Sequence, residues 1–230
     1  MPLDYRLDGS VAVVTLDDGK ANAISPALLD DLHGALDSAE KEAHALLLVG
    51  REGKFSAGFD LSIMTSSTEA MRALVTAGGE FLMRLFTFPM PVVAACTGHA
   101  LAAGALVLLA CDVRIAADVP AKVGLNEVAI GMGLPEFAVE LARYRMAPSQ
   151  YDSIILGKVF APADAVTAGY LDKVVPADEL LAAATAEAQA LSALNTGAVA
   201  QVKRSSRQAI ADRVLPDIAT NMATITGPTP

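Results

Sequence analysis

The chain has 230 residues, of which 53% are hydrophobic and 19% charged, and this composition predicts an ordered globular protein with a large core. Its net charge of −9 and the absence of a dense basic run argue against nucleic-acid binding. The two cysteines lie in apolar sequence, which predicts reduced core thiols rather than a disulfide or a metal pair. Charged residues at the N-terminus and the shortness of the longest apolar run predict a cytoplasmic protein with no membrane association.

Strand and helix patterns alternate along the chain. Asp8-Gly9 indicates a hairpin, and Ser25 followed by Pro26 indicates a helix start. Strands are predicted at residues 4–8, 10–16, 45–49, 92–96, 112–117, 121–123 and 173–175. Helices are predicted at residues 26–39, 68–86, 102–110, 135–146, 149–156, 162–169, 176–194 and 196–213. Residues 62–68 are expected to be a mobile Ser/Thr-rich segment, and the tail from residue 214 is rich in Thr and Pro. This alternation predicts an α/β fold with a helical final third.

The stretch from Pro91 to Asp112 is the centre of this organisation. It is predicted to form a buried strand at 92–96, a turn at 98–100, and a helix whose first turn carries only very small side chains. A ligand can approach such a helix start closely, and its unpaired N–H groups suit an anion that forms during a reaction, such as an enolate oxygen. On this stretch alone, small residues that simply permit tight helix packing are an equal alternative.

Five segments, in order along the chain, carry a resemblance to a known family. They are Lys20-Ala21-Asn22-Ala23 with Ser25, Phe55-Ser56-Ala57-Gly58-Phe59-Asp60-Leu61, Pro91 through Asp112, Gly124-Leu125-Asn126-Glu127, and Ala165 through Val175. With them the chain resembles the crotonase (enoyl-CoA hydratase/isomerase) superfamily from about residue 11 to about residue 207. The turn that contains Glu127 is most similar to that of the single-glutamate enoyl-CoA isomerases.

The resemblance implies an α/β fold, a crotonase-like spiral of repeated ββα units over residues 1–175, with a C-terminal helical assembly region over residues 176–230. Members are usually homotrimers or dimers of trimers built through their C-terminal helices. Because this sequence stops soon after residue 214 with a Thr/Pro tail, the usual closing helix is expected to be short or absent, which leaves the assembly and the wall of the acyl pocket open.

The resemblance also implies a catalytic site. The main-chain N–H groups of Phe59 and Ala103 would hold the enolate oxygen of a thioester, and Glu127 would be the general base and acid. Hydratases of the family carry a second glutamate at the position of Leu106, so this chain departs from the hydratase pattern there. Glu136 is the rival second acid, although glutamate at a helix start is also favoured by the helix dipole alone.

Coenzyme A is expected as part of the substrate thioester, with no permanently bound cofactor and no metal. The positions that resemble CoA-contacting residues of the family are Lys54, Ala57, Gly58, Asp60, Gly104 and Lys203, with Arg207 as an alternative to Lys203.

Three functions stay open from the sequence. The first is an enoyl-CoA isomerase of fatty-acid oxidation, in which one carboxylate moves a proton from C2 to C4 of a 3-enoyl thioester. The second is an atypical enoyl-CoA hydratase that uses Glu127 and Glu136. The third is a CoA-ester-binding protein that keeps the fold without catalysis.

Overall fold

The computed structural model describes residues 3–225, and within that range the chain forms eleven strands and nine α-helices. The strands are β1 (Leu3–Asp8), β2 (Val11–Leu16), β3 (Ala23–Ile24), β4 (Ala45–Val49), β5 (Gly53–Ser56), β6 (Gly58–Phe59), β7 (Val92–Cys96), β8 (Gly98–Leu101), β9 (Val113–Ala117), β10 (Val123–Gly124) and β11 (Lys173–Val175). The helices are α1 (Pro26–Glu42), α2 (Leu61–Met64), α3 (Thr68–Thr87), α4 (Ala103–Ala110), α5 (Glu136–Arg145), α6 (Pro162–Ala168), α7 (Leu180–Ser192), α8 (Thr196–Val214) and α9 (Ile218–Thr224).

The largest sheet has six strands in the order β1-β2-β4-β7-β9-β11. Strands β1 and β2 form the predicted antiparallel hairpin, with Asp8 opposite Val11, and the other neighbours are parallel. Strand β4 is buried on both faces: Leu46 packs into the main core, whereas Leu47 packs on the side that α7 covers. Burial of both faces explains why this strand reads as a continuous apolar run.

A second, smaller sheet has the order β10-β8-β5, and β3 pairs with β6 beside it. The chain therefore repeats one unit, in which a strand of the large sheet is followed by a strand of a small sheet and then by a helix. This arrangement is the predicted spiral of ββα units, which is confirmed. The predicted turn at residues 98–100 is wrong, because these residues belong to β8. Gly98 is needed there because a β-carbon would lie 2.0 Å from the main chain of Gly53 on β5.

Helix starts follow local capping chemistry. The Ser25 Oγ atom accepts a hydrogen bond from the N–H of Leu28 at the start of α1, as the sequence predicts. The segment 62–68, expected to be mobile, contains the end of the short helix α2, because Asp60 caps it through the N–H of Ser62.

The C-terminal helices cover two surfaces of the core. Helix α7 packs on the large sheet, and α8 and α9 both contact α3. The Thr/Pro-rich tail expected after residue 214 includes α9, whose Ile218 and Met222 are buried. Residues 226–230 lie outside the described part of the chain, and the division between a core and an assembly region at residue 175 stays a prediction.

A buried ion cluster holds α8 against the sheet. The carboxylate of Asp112 accepts hydrogen bonds from the N–H of Val92 at 2.8 Å and from the ammonium of Lys203 at 2.7 Å. It also pairs with the guanidinium of Arg207 at 2.7 Å. Burial alone would raise the pKa of Asp112, but the two cations hold it below its ordinary value.

Both cysteines lie in the core, as the sequence predicts. Cys96 and Cys111 are free and buried, and burial raises the pKa of both thiols to about 12. Between residues 3 and 225 there is no helix with both the length and the apolar character that a membrane crossing requires.

Candidate active site

A cavity of about 290 Å³ opens where the loop after β5, the start of α4 and the turn after β10 meet. Its wall is mostly apolar. The lining includes Ala57, Phe59, Ala102, Leu106, Asn126 and Glu127. A concave apolar site with few polar groups is the usual form of a small-molecule site.

Gly58 brings the loop that contains Phe59 against the start of α4. Its φ of +94° lies in the left-handed region, which favours glycine. A β-carbon on Gly58 would lie 3.0 Å from the carbonyl oxygen of Leu101 and 3.2 Å from the main-chain nitrogen of Ala103. The structure therefore brings the two predicted amide donors, at residues 59 and 103, to neighbouring positions.

The start of α4 has no side chain that satisfies its main-chain groups. Ala102, which precedes the helix, has a φ of +49°, and no side chain caps the helix. Its carbonyl accepts from the N–H groups of Ala105 and Leu106, at 2.9 and 3.1 Å. The N–H of Ala103 belongs to the first turn, which the helix itself cannot satisfy. Together with the helix dipole, this N–H suits an oxygen that gains negative charge.

Glu127 supplies the carboxylate of the cavity. It follows β10 in a tight turn whose Leu125 N–H donates to the hydroxyl of Tyr170 at 3.3 Å. The residue is only 6% exposed, and its Oε2 atom has no hydrogen-bond partner among residues 3–225. Burial raises the pKa of Glu127 from an ordinary value of 4.5 to about 7. The carboxyl can therefore both take and return a proton near neutral pH.

Asn126 is a cavity residue that the sequence reasoning did not single out. It stands at the start of a short 3₁₀ turn, where asparagine often caps with its side chain, but here it makes no capping bond. Its Oδ1 atom is buried and has no partner in the described part of the chain, while the residue lines the cavity. The position next to Glu127 was the available signal, but sequence cannot show which way the amide points.

Glu136 does not join the cavity. Its carboxylate pairs with the guanidinium of Arg213 on α8, and its N–H donates to the Asn221 side chain at 2.8 Å. The neighbouring Pro135, rather than Glu136, lines the cavity. Glu136 therefore lies at the start of α5 and forms an ion pair at the surface.

The predicted CoA-contacting residues fall into separate places. Ala57 lines the cavity, and Gly58 and Gly104 lie at the junction of the loop and α4. Asp60 caps α2. The remaining two are lysines, and neither lines the cavity.

Lys203 is the clearest departure from expectation. It is 5% exposed, and its ammonium donates to Asp112 and to the carbonyl of Met90. A lysine committed to a buried carboxylate is not available for a phosphate of CoA, so that expectation is corrected. Arg207, the alternative, pairs with the same carboxylate. Lys54 lies on β5 beside His99, where the pKa of that histidine is lowered by burial and by the nearby lysine.

Sequence and structure comparisons agree on the class of protein that this fold and cavity define. The profile of the family described as Enoyl-CoA hydratase/isomerase matches residues 6–227. A solved structure of an enoyl-CoA hydratase/isomerase family protein from Pseudomonas syringae has a TM-score of 0.94 and 40% identity, covering 98% of each chain. The chain belongs to the enoyl-CoA hydratase/isomerase family, which confirms the resemblance to the crotonase superfamily.

Relatives within the family carry two reaction names. A Bacillus subtilis protein named "Probable enoyl-CoA hydratase" is 34% identical over 173 residues, which are 73% of this chain and 66% of that protein. The human protein named "Enoyl-CoA delta isomerase 1, mitochondrial" is 31% identical over 211 residues, which are 89% of this chain and 70% of that protein. These names support the family, and they include both hydration and isomerisation as its reactions.

Proposed function

We propose that this protein is an enoyl-CoA isomerase that converts a 3-enoyl-CoA to the trans-2-enoyl-CoA, a step of fatty-acid oxidation. One observation carries the proposal. Among the residues that the structure describes, Glu127 is the only acidic side chain in the cavity lining, and its Oε2 atom is unpartnered. A single positioned carboxylate is sufficient to move one proton between two carbons of the same substrate.

The proposed reaction has two steps. The carboxylate of Glu127 takes a proton from C2, and the C–H electron pair spreads over the dienolate so that negative charge reaches the thioester oxygen. The N–H groups of Phe59 and Ala103 hold that oxygen. Protonated Glu127 then returns the proton to C4, the double bond re-forms between C2 and C3, and the carboxylate is regenerated. Removal of one such oxyanion donor costs about 10²–10³ in rate in well-studied enzymes.

Apolar side chains provide the place for the acyl chain. Beyond the polar groups, the cavity wall consists of side chains that include Met64, Val75, Leu106, Met132 and Phe137. An acyl chain gains about 0.8 kcal/mol for each methylene that it buries in such a wall. The same wall surrounds Glu127, which is 6% exposed, and this apolar setting supports a proton transfer between carbons over the addition of water.

Hydration of a trans-2-enoyl-CoA is the second candidate, because relatives such as the Bacillus subtilis protein carry that name. Water addition calls for two acid–base groups around the substrate. Here the position of the second glutamate is Leu106, which is 2% exposed, and Glu136 pairs with Arg213 outside the lining. Asn126 Oδ1 is the one further buried, unpartnered side-chain oxygen of the described lining, and it accepts hydrogen bonds without titrating.

The substrate is expected to bring coenzyme A with it, so the reaction as proposed needs no other cofactor. Lys54, beside the loop, is proposed to reach a phosphate of CoA, as lysines do elsewhere. The cytoplasmic location and the homotrimeric or doubly trimeric assembly stay predictions.

The test supplies a 3-enoyl-CoA and, separately, a trans-2-enoyl-CoA to the purified protein and to two variants. We expect the wild type to isomerise the first substrate, with kcat/KM rising as pH passes through about 7 because the carboxylate is the base. Glu127→Gln is expected to lower kcat by about 10²–10⁴-fold while acyl-CoA binding, measured by calorimetry, persists. Glu136→Gln is the matched control and is expected to keep activity.

Rapid hydration without isomerisation would favour the second candidate, and no turnover of either substrate would favour a binding protein.

A further inference from the structure

Asn22 joins three segments that lie beneath the site. It is 1% exposed and has a φ of +51°, a left-handed conformation that is uncommon for residues other than glycine. Its Nδ2 atom donates to the carbonyls of Leu16 at 2.9 Å and Phe55 at 3.1 Å, and its Oδ1 atom accepts from the N–H of Asp18 at 3.0 Å. The side chain therefore connects the end of β2, the following loop and β5.

Ser56 continues this connection toward the cavity. Its Oγ atom donates to the carbonyl of Asn22 at 2.7 Å and accepts from the N–H of Gly58 at 3.2 Å. The hydroxyl is thus a bridge between Asn22 and the residue that precedes Phe59. Because Ser56 is only 2% exposed, water cannot readily replace this bridge.

The main chain of Ser56 also touches the other half of the site. A β-carbon on Gly104 would lie 2.3 Å from the carbonyl oxygen of Ser56, so the first turn of α4 rests directly on this residue. Ser56 is therefore in contact with both main-chain segments that carry the proposed amide donors, at residues 59 and 103.

We propose that Ser56, held by Asn22, is a positioning residue that sets the relative placement of the Phe59 and Ala103 N–H groups. This inference rests on the proposed oxyanion role of those two groups. The bridge acts on the loop side by orienting the peptide of Gly58, and the contact with Gly104 acts on the helix side. Loss of the hydroxyl would let the loop amide turn away from the oxygen that it should hold, while the apolar cavity that binds the acyl chain stays in place.

The experiment compares Ser56→Ala with the same substitution at another buried serine whose hydroxyl also donates one hydrogen bond and accepts one. Ser192 is 7% exposed, its Oγ atom donates to the carbonyl of Gln189 at 2.8 Å, and it accepts from the hydroxyl of Ser10 at 2.9 Å. Ser192→Ala therefore removes the same number of hydrogen bonds at a site on the far layer. We expect Ser56→Ala to lower kcat for the 3-enoyl-CoA by about 10–100-fold with KM nearly unchanged, and Ser192→Ala to change neither.

A spectroscopic measurement reports on the amide pair without turnover. The probe is acetoacetyl-CoA, a 3-oxoacyl thioester whose enolate absorbs in the near ultraviolet. Saturating concentrations of the wild type, of Ser192→Ala and of Glu127→Gln should each increase the enolate band of the probe, because the main-chain donors of these three proteins are intact. Ser56→Ala should show a weaker band at saturation. Where Ser56→Ala does not fold, Ser56→Cys takes its place, since its longer and weaker thiol bridge should reduce both kcat and the band.

The outcomes separate the two proposals. An unchanged kcat and an unchanged enolate band in the Ser56 variant that folds would overturn the positioning role and leave Ser56 as a structural residue. A wild type that neither isomerises 3-enoyl-CoA nor increases the enolate band would overturn the proposed function itself. A wild type with the band but without isomerisation would retain the amide pair and reject the proposed isomerisation.

Discussion

At the scale of single residues, the side chain of Glu127 is an acid in a buried place, where the neutral form is more stable than the charged form. Its Oε2 atom is buried without a partner in the described chain, and burial raises the pKa from 4.5 to about 7. An acid with a raised pKa stabilises the folded state less as pH increases, since the unfolded chain loses the proton first. Below pH 4.5 both states are protonated and no cost arises, whereas above pH 7 the cost of the buried charge is complete.

Glu127→Gln should therefore stabilise the protein in a pH-dependent way. The amide does not titrate, so the free energy of unfolding of the variant relative to wild type is expected to grow by about 3 kcal/mol between pH 4.5 and pH 8. Urea unfolding at the two pH values, at one protein concentration, measures the difference. A constant difference across this range would contradict the raised pKa.

The position of single residues could be predicted where a motif carried it and not where a long-range partner decided it. The family pattern predicted that the turn with Glu127 shares a site with the start of α4, and Glu127 and Ala102 do line the same cavity; the role of Glu127 stays a prediction. Lys203 was wrong as a CoA contact, because its partner, Asp112, lies 91 residues earlier in the chain. The orientation of the Asn126 amide depends on which groups surround it in the folded chain, and the sequence does not contain that information.

At the scale of elements, the contact between the loop after β5 and the start of α4 depends on glycine. Gly104→Ala would place a methyl group 2.3 Å from the carbonyl oxygen of Ser56, so one of the two main chains would have to shift. We expect this variant to lower the free energy of unfolding by about 1–3 kcal/mol and to lose most activity.

Gly34→Ala is the control for this prediction. Gly34 lies within α1, and a β-carbon there meets no atom within 4 Å. The alanine should raise the free energy of unfolding by about 0.5–1 kcal/mol, because it favours the helix. Equal stability changes in the two variants, measured by urea unfolding, would contradict the close contact at residue 104.

Long elements were predicted well and short ones poorly. The helices α1, α3 and α8 have clear apolar faces or caps, and their predicted positions are confirmed within a few residues. Strand β8 was predicted as a turn, because a four-residue strand of small residues gains its identity only from its partners β5 and β10. Helix α9 was missed because seven residues are too few to show a clear helical period, and the burial of Ile218 and Met222 comes from contact with α3.

At the scale of the whole molecule, the Asp112 cluster joins parts of the chain that are far apart in sequence. It connects the starts of β7 and β9 to α8 through one carboxylate and the cations Lys203 and Arg207. Removal of a charge from a buried pair leaves its partners desolvated and uncompensated.

Asp112→Asn is expected to lower the free energy of unfolding by about 3–5 kcal/mol, measured by urea unfolding at pH 7. The control is Glu187→Gln, which removes the exposed pair between Lys173 and Glu187, 3.5 Å apart, and should cost about 1 kcal/mol or less. A loss at residue 112 no larger than that of the control would mean that α8 is held mainly by apolar contacts.

Leu106 suggests how this scaffold could change its chemistry. It stands one helical turn after Ala103, and its buried side chain forms part of the cavity wall. The amides proposed to steady the enolate belong to the backbone, so they survive almost any exchange of side chains around them. A Leu106→Glu substitution would place a second carboxylate in the cavity with Glu127 and supply the two acids that water addition requires. A single substitution at this position would then lead from the proposed isomerisation to hydration.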